Sequence, residues 1–264
     1  MRVCIIGNSH IGVLKKAWLD GLCTQNPGLD LTFFGAQRDL LRTVQADDGR
    51  LRSQDKLTRR SLAMTTGLKD PDIRVADFDC VLLHGLVDPN WVVLHALSLF
   101  RHRNCGGAPV SSGLLSAVAM ERYQQSLSCY MTGVLRGISD VPIMASPKPY
   151  WSREVIDHAD QGRPYRGVEA LPSRRDDIGF YVAYQGALLD AAARDSLSLL
   201  PQPPETIVDD YFTAPRFCRD SIKLTNDLDE AHPDDDYGHM NVLYGALVLR
   251  DFIGALPVNR LRYA

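Results

Sequence analysis

The sequence lacks several features that would assign a protein to a class at once. It has six cysteines, but no two stand in a C-x-x-C spacing, so neither a zinc site nor a redox pair is indicated. No stretch approaches the roughly 18 apolar residues that span a bilayer, and the apolar run 3–6 is too short for a signal-peptide core. We therefore expect a cytoplasmic protein with reduced, mostly buried thiols and no membrane partner.

An excess of charge of either sign is also missing. Lys and Arg total 29 and Asp and Glu total 32, which gives a net charge of −3. Nucleic-acid binding needs a concentrated basic surface, and the arginine-rich stretch 50–60 is local and mixed with acids, so we expect no nucleic-acid partner. The 264 residues, 45% of them hydrophobic, contain no internal repeat and suit a single domain over residues 1–264.

Strand-like and helix-like patterns alternate along the chain. Apolar runs predict strands over Arg2–Ile6, Leu29–Phe34, Phe78–Leu83 and Val141–Ala145. Helical spacing predicts helices over Ile11–Leu22, Leu114–Leu135, Asp176–Leu199 and Val242–Leu256, the last with Asn241 as a candidate N-cap. This alternation favours an α/β fold, a three-layer α/β/α sandwich around a mainly parallel, flavodoxin-like sheet.

Two stretches interrupt the alternation. Residues 38–77 are polar and charge-rich, and we expect a helix or hairpin and a long loop there. Residues 147–177 are rich in Pro, Arg and Asp. Because long connections in compact domains are often functional, we predict that 147–177 form a lid or insertion over the ligand site.

The turn after the first strand has two interpretations. Its G-x-S-x-x-G pattern, from Gly7 to Gly12, matches the dinucleotide fingerprint except at the middle glycine, and no acid follows the second strand, although Arg38 would suit a 2′-phosphate. Alternatively, Ser9 is a nucleophile at a helix start, where backbone N–H groups favour an oxyanion. A serine in this position is also a good N-cap.

A nucleophilic serine needs a base, and the sequence offers one near its other end. Asp236 and His239 are three residues apart directly before the last helix, so the carboxylate can orient the imidazole and leave its Nε2 to take the serine proton. A metal site is the alternative for this segment, with His232 and Asp234 joining Asp236 and His239 as ligands.

These two motifs carry a resemblance to a known family. "IIGNSH" and "DYGHMN" resemble the first and last blocks of the SGNH hydrolases, the GDSL-like esterase/lipase superfamily. The specific motifs cover about twenty residues, while the alternation of strands and helices extends over most of the chain. The resemblance implies a catalytic triad of Ser9, Asp236 and His239, with no metal or organic cofactor.

The resemblance also implies an oxyanion hole. In the family it is formed by the serine N–H, a glycine N–H after the second strand and an asparagine in a G-x-N-D motif after the third strand. Ser9 and Gly35 match the first two, but Val87 stands in the asparagine position and has no side-chain donor. Asn90 or His84 would have to replace it.

The sequence therefore predicts a serine esterase or deacylase that acts on a small acyl ester, for example an acetyl ester of a carbohydrate. Asn8 and His84, near the carboxyl ends of two strands, are candidates for contacting the substrate. Two alternatives remain open: an O-acyltransferase that uses the same triad on a glycan, and a catalytically silent glycan- or ligand-binding protein, which Val87 favours. The oligomeric state is not encoded in any recognisable motif.

Overall fold

The computed structural model describes residues 1–90, 112–157, 175–195, 197–225 and 230–256, with the backbone alone described at 112 and 175–182. The strands in these ranges are β1 (Arg2–Gly7), β2 (Asp30–Gly35), β3 (Val44–Asp47), β4 (Arg50–Ser53), β5 (Ile73–Arg74), β6 (Cys80–His84), β7 (Ile143–Ser146), β8 (Ser198–Leu199), β9 (Ile207–Val208) and β10 (Phe212–Thr213). The helices are α1 (Ile11–Ala17), α2 (Lys56–Thr66), α3 (Ser112–Gln124), α4 (Leu127–Arg136), α5 (Arg175–Arg194) and α6 (Val242–Ala255).

The centre of the fold is a five-stranded sheet in the order β2-β1-β6-β7-β8. Each neighbouring pair in it is parallel. Counted along the chain, the strands of this sheet run 2-1-3-4-5, which is the flavodoxin-like order. The predicted α/β class and parallel sheet are therefore confirmed.

The two faces of the sheet bury different residues of β1. Val3 and Ile5 pack with Leu14 of α1 and with Val248 and Phe252 of α6. Cys4 and Ile6, which point the opposite way, belong to the second core cluster, to which α2, α3, α4 and α5 all contribute. Helices on both faces make the three-layer α/β/α sandwich and explain why this strand is apolar throughout.

Two predicted helices differ from the structure, and the segment 38–77 contains both of the elements predicted for it as alternatives. The helix predicted over 114–135 is two helices, because the Ser126 hydroxyl accepts from Cys129 N at 3.1 Å and starts α4 after a break. The helix predicted to reach Leu199 ends at Arg194, and Ser198–Leu199 pairs with β7 as the edge strand β8. Residues 38–77 contain both a helix, α2, and the hairpin β3–β4, whose second strand also pairs with β5.

Several smaller features complete the fold. Helix α1 continues as a π-helical stretch, Trp18–Leu22, and a short turn, Cys23–Gln25. The five cysteines that lie in the described part of the chain are all free thiols. Within the described residues no helix has the length and apolar character that a bilayer crossing requires.

Asn241 caps α6 and ties it to the rest of the molecule. Its Oδ1 accepts from Tyr244 N at 3.3 Å, as predicted for an N-cap, and its Nδ2 donates to the carbonyls of Arg216 and Arg219 at 2.8 and 2.9 Å. The residue is 8% exposed, so these bonds are shielded from water. Asn241 therefore fixes the start of α6, directly after the segment that carries His239.

We expect Asn241→Ala to lower the free energy of unfolding by about 2 kcal/mol, since it removes a cap and leaves two carbonyls without their donor. Asn241→Asp keeps the capping oxygen but places a carboxylate oxygen against the two carbonyl oxygens, so its loss should be at least as large. Urea unfolding of the three proteins measures both effects. A loss in Asn241→Ala of less than about 0.5 kcal/mol, the range of ordinary surface changes, would contradict this role.

Candidate active site

Ser9 lies at the point where the order of the sheet reverses. It follows β1, and β1 pairs with β6 so that Gly7 is opposite His84. A crevice at the carboxyl ends of such a strand pair is where open α/β sheets bind ligands. A Cβ on Gly7 would lie 2.4 Å from the His84 carbonyl oxygen, so a glycine is required to let the two strand ends approach this closely.

The Ser9 turn is held to the loop after β6 by the Asn8 side chain. Asn8 Nδ2 donates to the Gly85 carbonyl at 2.9 Å, and Asn8 Oδ1 accepts from His10 N at 3.1 Å. Gly85 has a φ of 73°, which favours glycine. Asn8 therefore fixes the backbone on both sides of Ser9, in addition to lining the adjacent cavity.

The Ser9 hydroxyl is hydrogen-bonded to a histidine 230 residues away in the sequence. Ser9 Oγ lies 2.9 Å from His239 Nε2, and His239 Nδ1 lies 2.8 Å from Asp236 Oδ2. With its proton on Nδ1, His239 donates to Asp236, and its Nε2 accepts from the serine hydroxyl. Helix α1 is capped by His10 without a side-chain bond, so the serine hydroxyl is not used as an N-cap.

Asp236 is the most heavily hydrogen-bonded group of the site. Its Oδ1 accepts from the backbone N–H groups of Gly238 and His239 at 3.0 and 3.1 Å, and its Oδ2 accepts from His239 and from His232 Nδ1 at 2.9 Å. Burial by itself raises the pKa of Asp236, but the bonds from His232, His239 and Gly238 outweigh it and hold this pKa well below its usual value. The carboxylate is therefore ionised at any pH near neutrality.

Sequence reasoning missed that two further imidazoles stack on His239. The His232 ring stacks on it at a centroid distance of 3.9 Å and an angle of 12°, and the His10 ring also stacks on it, at 4.7 Å and 19°. His10 is not among the site residues that the sequence predicts, and His232 is predicted only as a ligand in the metal alternative. The four-residue spacing from His232 to Asp236 was the available signal.

Burial, followed by the neighbouring ring of His239, holds the pKa of His10 well below its usual value. His10 is therefore neutral at pH 7. A neutral ring can stack on His239 without opposing the positive charge that His239 gains when it accepts a proton.

The other predicted oxyanion donors are already occupied by protein groups. Gly35 N donates to Thr65 Oγ1 of α2 at 3.0 Å, and Asn90 Nδ2 donates to the Pro149 carbonyl at 2.8 Å. Both residues are buried, and so is Val87, which packs in a core cluster. The Gly35 amide is therefore unavailable to an oxyanion unless Thr65 releases it, because one N–H makes one good hydrogen bond.

His84 lies inside the protein and not on its surface. It is 0% exposed, and within the described residues neither ring nitrogen has a hydrogen-bond partner. Burial lowers the pKa of His84 to about 4. A direct contact between this side chain and a substrate, which we had expected, therefore requires the residue to become exposed first.

The buried His84 makes stability depend on pH in a defined window. Between pH 6.5 and about 4 the unfolded chain protonates this histidine and the folded protein does not, so stability falls as the pH falls through that range. The full loss is about 3 kcal/mol, at roughly 1.4 kcal/mol per pH unit.

Urea unfolding at several pH values measures this slope. In His84→Leu, which removes the titrating group, the slope between pH 6 and 4.5 should be shallower by up to about 1.4 kcal/mol per unit. Equal slopes in the two proteins would contradict the argument. His10, whose pKa is also lowered, contributes in the same direction and is present in both proteins.

The metal alternative has a geometric basis in three of its four residues. Donor atoms of His232, Asp236 and His239 lie within 4.8 Å of one another, and Asp234 is not part of this group. Both imidazole Nδ1 atoms of the group are hydrogen-bonded to Asp236. A metal ion bound to these Nδ1 atoms would have to replace both bonds, whereas one bound through Nε2 of either ring would leave that ring's bond to Asp236 in place. The predicted lid falls largely on residues 158–174, which are outside the described part of the chain.

No protein-family model and no curated protein matches this sequence. Two solved structures are similar at 12% identity and a TM-score of 0.43 each. One is a DUF4886 family protein from Bacteroides uniformis, over 99% of this chain and 84% of that one. The other is a lipopolysaccharide acetyltransferase periplasmic domain from Salmonella ser. Paratyphi A, over 96% and 82%. Likenesses at this level assign neither a family nor an activity, so the functional argument depends on the site itself.

The site has the parts needed to activate a hydroxyl group. The Ser9 hydroxyl lies within hydrogen-bond distance of one imidazole nitrogen of His239, and the opposite nitrogen of that ring is bonded to an ionised carboxylate. A weak nucleophile becomes effective when an adjacent base, itself oriented by a third group, accepts its proton. This arrangement is suited to acyl transfer.

Proposed function

We propose that the protein is a serine esterase or deacylase that hydrolyses a small acyl ester, with Ser9 as nucleophile, His239 as base and Asp236 as the group that orients it. The observation that carries the proposal is the pair of hydrogen bonds at 2.9 and 2.8 Å that links the three side chains in this order. Nucleophile, base and orienting group within hydrogen-bond reach are the features by which such a site is recognised, whatever the fold.

The reaction proceeds in two halves. Ser9 Oγ attacks the acyl carbonyl carbon while its proton moves to His239 Nε2, and the resulting imidazolium donates this proton to the departing alcohol oxygen as the carbon–oxygen ester bond breaks. Water then attacks the acyl–serine and gives a proton to His239. The carboxylic acid is released as His239 returns a proton to Ser9 Oγ. Asp236 remains ionised and stabilises the imidazolium in both halves.

The proposal assigns the first oxyanion contact to the backbone of Ser9. Among the described residues the Ser9 N–H has no hydrogen-bond partner, so it is free to donate to the developing charge. Val87 has no side-chain donor to add. Because losing one oxyanion donor costs about a hundred- to a thousandfold in rate, we expect a slower enzyme than one with the full set.

A fluorophosphonate probe tests the proposal directly. Such probes phosphonylate an activated serine, so the probe should label Ser9, as located by mass spectrometry of the peptides, and should not label Ser9→Ala. Ser139→Ala, which changes a serine outside the site, should be labelled like the wild type. Absence of labelling in the wild type would contradict the esterase proposal and favour a binding protein.

His232 should affect the rate less than the three proposed catalytic residues do. We expect His232→Ala to lower kcat by about tenfold to a hundredfold, because misplacing a catalytic group by about an ångström has an effect of that order. His232→Gln, which retains an N–H that can donate to Asp236, should recover part of the loss. Steady-state kinetics with p-nitrophenyl acetate measures both, and unchanged kcat in His232→Ala would remove His232 from the mechanism.

Two rival chemistries have distinct outcomes. If the acyl group is transferred to a sugar hydroxyl, the acylated sugar accumulates when an acceptor sugar is added, whereas hydrolysis gives the free acid at the same rate with or without it. If a metal ion bound by His232, Asp236 and His239 is required, a chelator abolishes activity and added Zn²⁺ restores it. Our proposal expects free acid and full activity in the chelator.

A further inference from the structure

A cavity of about 540 Å³ adjoins the Ser9 turn, and its wall carries more cationic than acidic side chains. Asn8 and Gly85, which are hydrogen-bonded to each other, form the side next to the serine. The wall also contains four cationic side chains, Arg38, Arg42, Arg122 and Lys148, against two acidic ones, Asp39 and Asp88. This is an excess of two positive charges in a protein whose net charge is −3.

The cations reach the cavity from separate parts of the fold. Arg38 follows β2, Arg42 belongs to the 3₁₀ turn Leu40–Thr43, Arg122 is on α3, and Lys148 follows β7. Side chains that converge from four elements on one space at the carboxyl edge of the sheet form a site built by the tertiary structure. A run of like charges on one exposed helix would not have this property.

Hydrogen bonds hold three of the cations at the wall. The Arg42 guanidinium donates to the Gln125 carbonyl, and Arg122 donates to Gln125 Oε1 at 3.0 Å. Lys148 Nζ lies 3.1 Å from Asp88 Oδ2. Arg38 has no such bond to the described residues and is exposed. One cation is thus free to reach a ligand, and the others are positioned in advance.

A buried hydroxyl provides an independent sign of a ligand. Tyr184 lines the cavity and is 0% exposed, and within the described residues its Oη has no hydrogen-bond partner. Burial raises the pKa of Tyr184 to about 12, with Arg122 and Asp88 close enough to act on it, so the hydroxyl remains a donor at neutral pH. A buried donor without an acceptor is costly, and an anionic ligand oxygen would satisfy it once a small side-chain movement exposes this hydroxyl to the cavity.

We propose that this cavity binds a carboxylate or phosphate group on the alcohol part of the ester, so that the preferred substrate is the acyl ester of an anionic sugar-sized compound. The inference rests on the proposed esterase function. Guanidinium groups recognise both kinds of oxyanion through paired N–H donors, and the volume is within the range of small-molecule sites. The anionic group lies in the cavity while Asn8 and Gly85 bring the ester bond next to Ser9.

Three acetyl esters test the proposal: those of methyl glucoside, methyl glucuronide and glucose 6-phosphate. We expect kcat/KM for at least one of the two anionic esters to exceed that for the neutral ester by about tenfold or more at low salt, and the ratio to shrink at 0.5 M NaCl, about where screening becomes complete over a few ångströms. The preferred anionic ester tells whether the group is a carboxylate or a phosphate. Equal kcat/KM for all three would overturn the cavity proposal and leave the esterase intact.

Substitutions of the arginines that line the cavity test whether they cause the preference for anionic esters. Arg38→Gln and Arg122→Gln should each lower the ratio of anionic to neutral kcat/KM by about fivefold to tenfold, as expected for the loss of one charged contact. Arg60→Gln is the matched control, since Arg60 is exposed on α2 and does not line the cavity, and it should leave the ratio within twofold of the wild type. Equal effects of all three substitutions would contradict a local site.

Calorimetric titration tests anion binding by the cavity independently of the proposed esterase activity. Methyl glucuronide and glucose 6-phosphate, which carry no ester, are titrated into the wild type and into Arg38→Gln/Arg122→Gln. Binding of either compound that weakens at least tenfold in the double variant supports the cavity even if no ester is hydrolysed. If neither compound binds the wild type, the proposal is wrong.

Discussion

Replacing His239 by alanine is expected to lower kcat/KM for ester hydrolysis by about four orders of magnitude, the size of effect seen when a member of a serine–histidine–aspartate site is lost. The reason is that the Ser9 hydroxyl, 2.9 Å from Nε2, would have no base to accept its proton. Asp236→Asn should have a similar effect without removing the ring, because an amide does not stabilise the imidazolium and favours the wrong tautomer.

A double variant tests whether Ser9 and His239 act together in one step or contribute independently to the rate. If Ser9 and His239 act in one step, Ser9→Ala/His239→Ala should be no slower than either single variant. The first substitution already abolishes the attack by Ser9, so the second has no further effect on the rate. Measurements of p-nitrophenyl acetate hydrolysis on the three purified proteins, corrected for the uncatalysed rate, decide this. Losses that multiply, or a His239→Ala variant within tenfold of the wild type, would contradict the mechanism.

The second large effect concerns stability. Gly245 of α6 lies against α1, and a Cβ placed on it would be 2.4 Å from the Val13 carbonyl oxygen and 2.7 Å from its carbon. Because these atoms are backbone in the middle of a helix, they cannot rotate away as a side chain would. We expect Gly245→Ala to force the helices apart and to lower the free energy of unfolding by about 3 kcal/mol, the upper part of the range for overpacking.

Gly254→Ala is the matched control, because Gly254 is on the same helix and a Cβ there meets no atom within 4 Å. Since alanine favours helices over glycine by up to about 1 kcal/mol, this variant should be as stable as the wild type or more so. Thermal and urea unfolding of both variants provide the comparison. Similar stabilities for the two would mean that the contact between α1 and α6 tolerates a methyl group.

The central elements of the site could be predicted because each is encoded locally. A strand that ends in a glycine and turns into a helix positions Ser9, and a three-residue spacing lets Asp236 orient His239. That residues so distant in sequence meet follows from a rule about sheets: ligand sites form at the carboxyl ends of parallel strands. The strands β1, β2, β6 and β7 were similarly predicted to within two residues at each end, since they are short, apolar and buried on both faces.

The features that sequence reasoning missed depend on packing between distant segments. Nothing in the sequence indicates that Thr65 meets the Gly35 amide, because α2 lies in a polar stretch with no clear pattern. The stacking of His10 on His239 requires knowledge of both turns at atomic detail. Strand β8 was missed for a different reason: two residues at the end of an apolar helical pattern do not show the alternation that identifies a strand.

Because the nucleophile and its proposed base are 230 residues apart in the sequence, a nascent chain that has not yet reached His239 holds only one of them. The proposed activity therefore requires that the segment carrying Asp236 and His239 has been translated and that α6 has packed against α1. In refolding experiments, the proposed activity should return with the slowest step that brings Ser9 and His239 together. The onset of activity would then report complete assembly of the molecule, whereas spectroscopic helix signals would recover earlier.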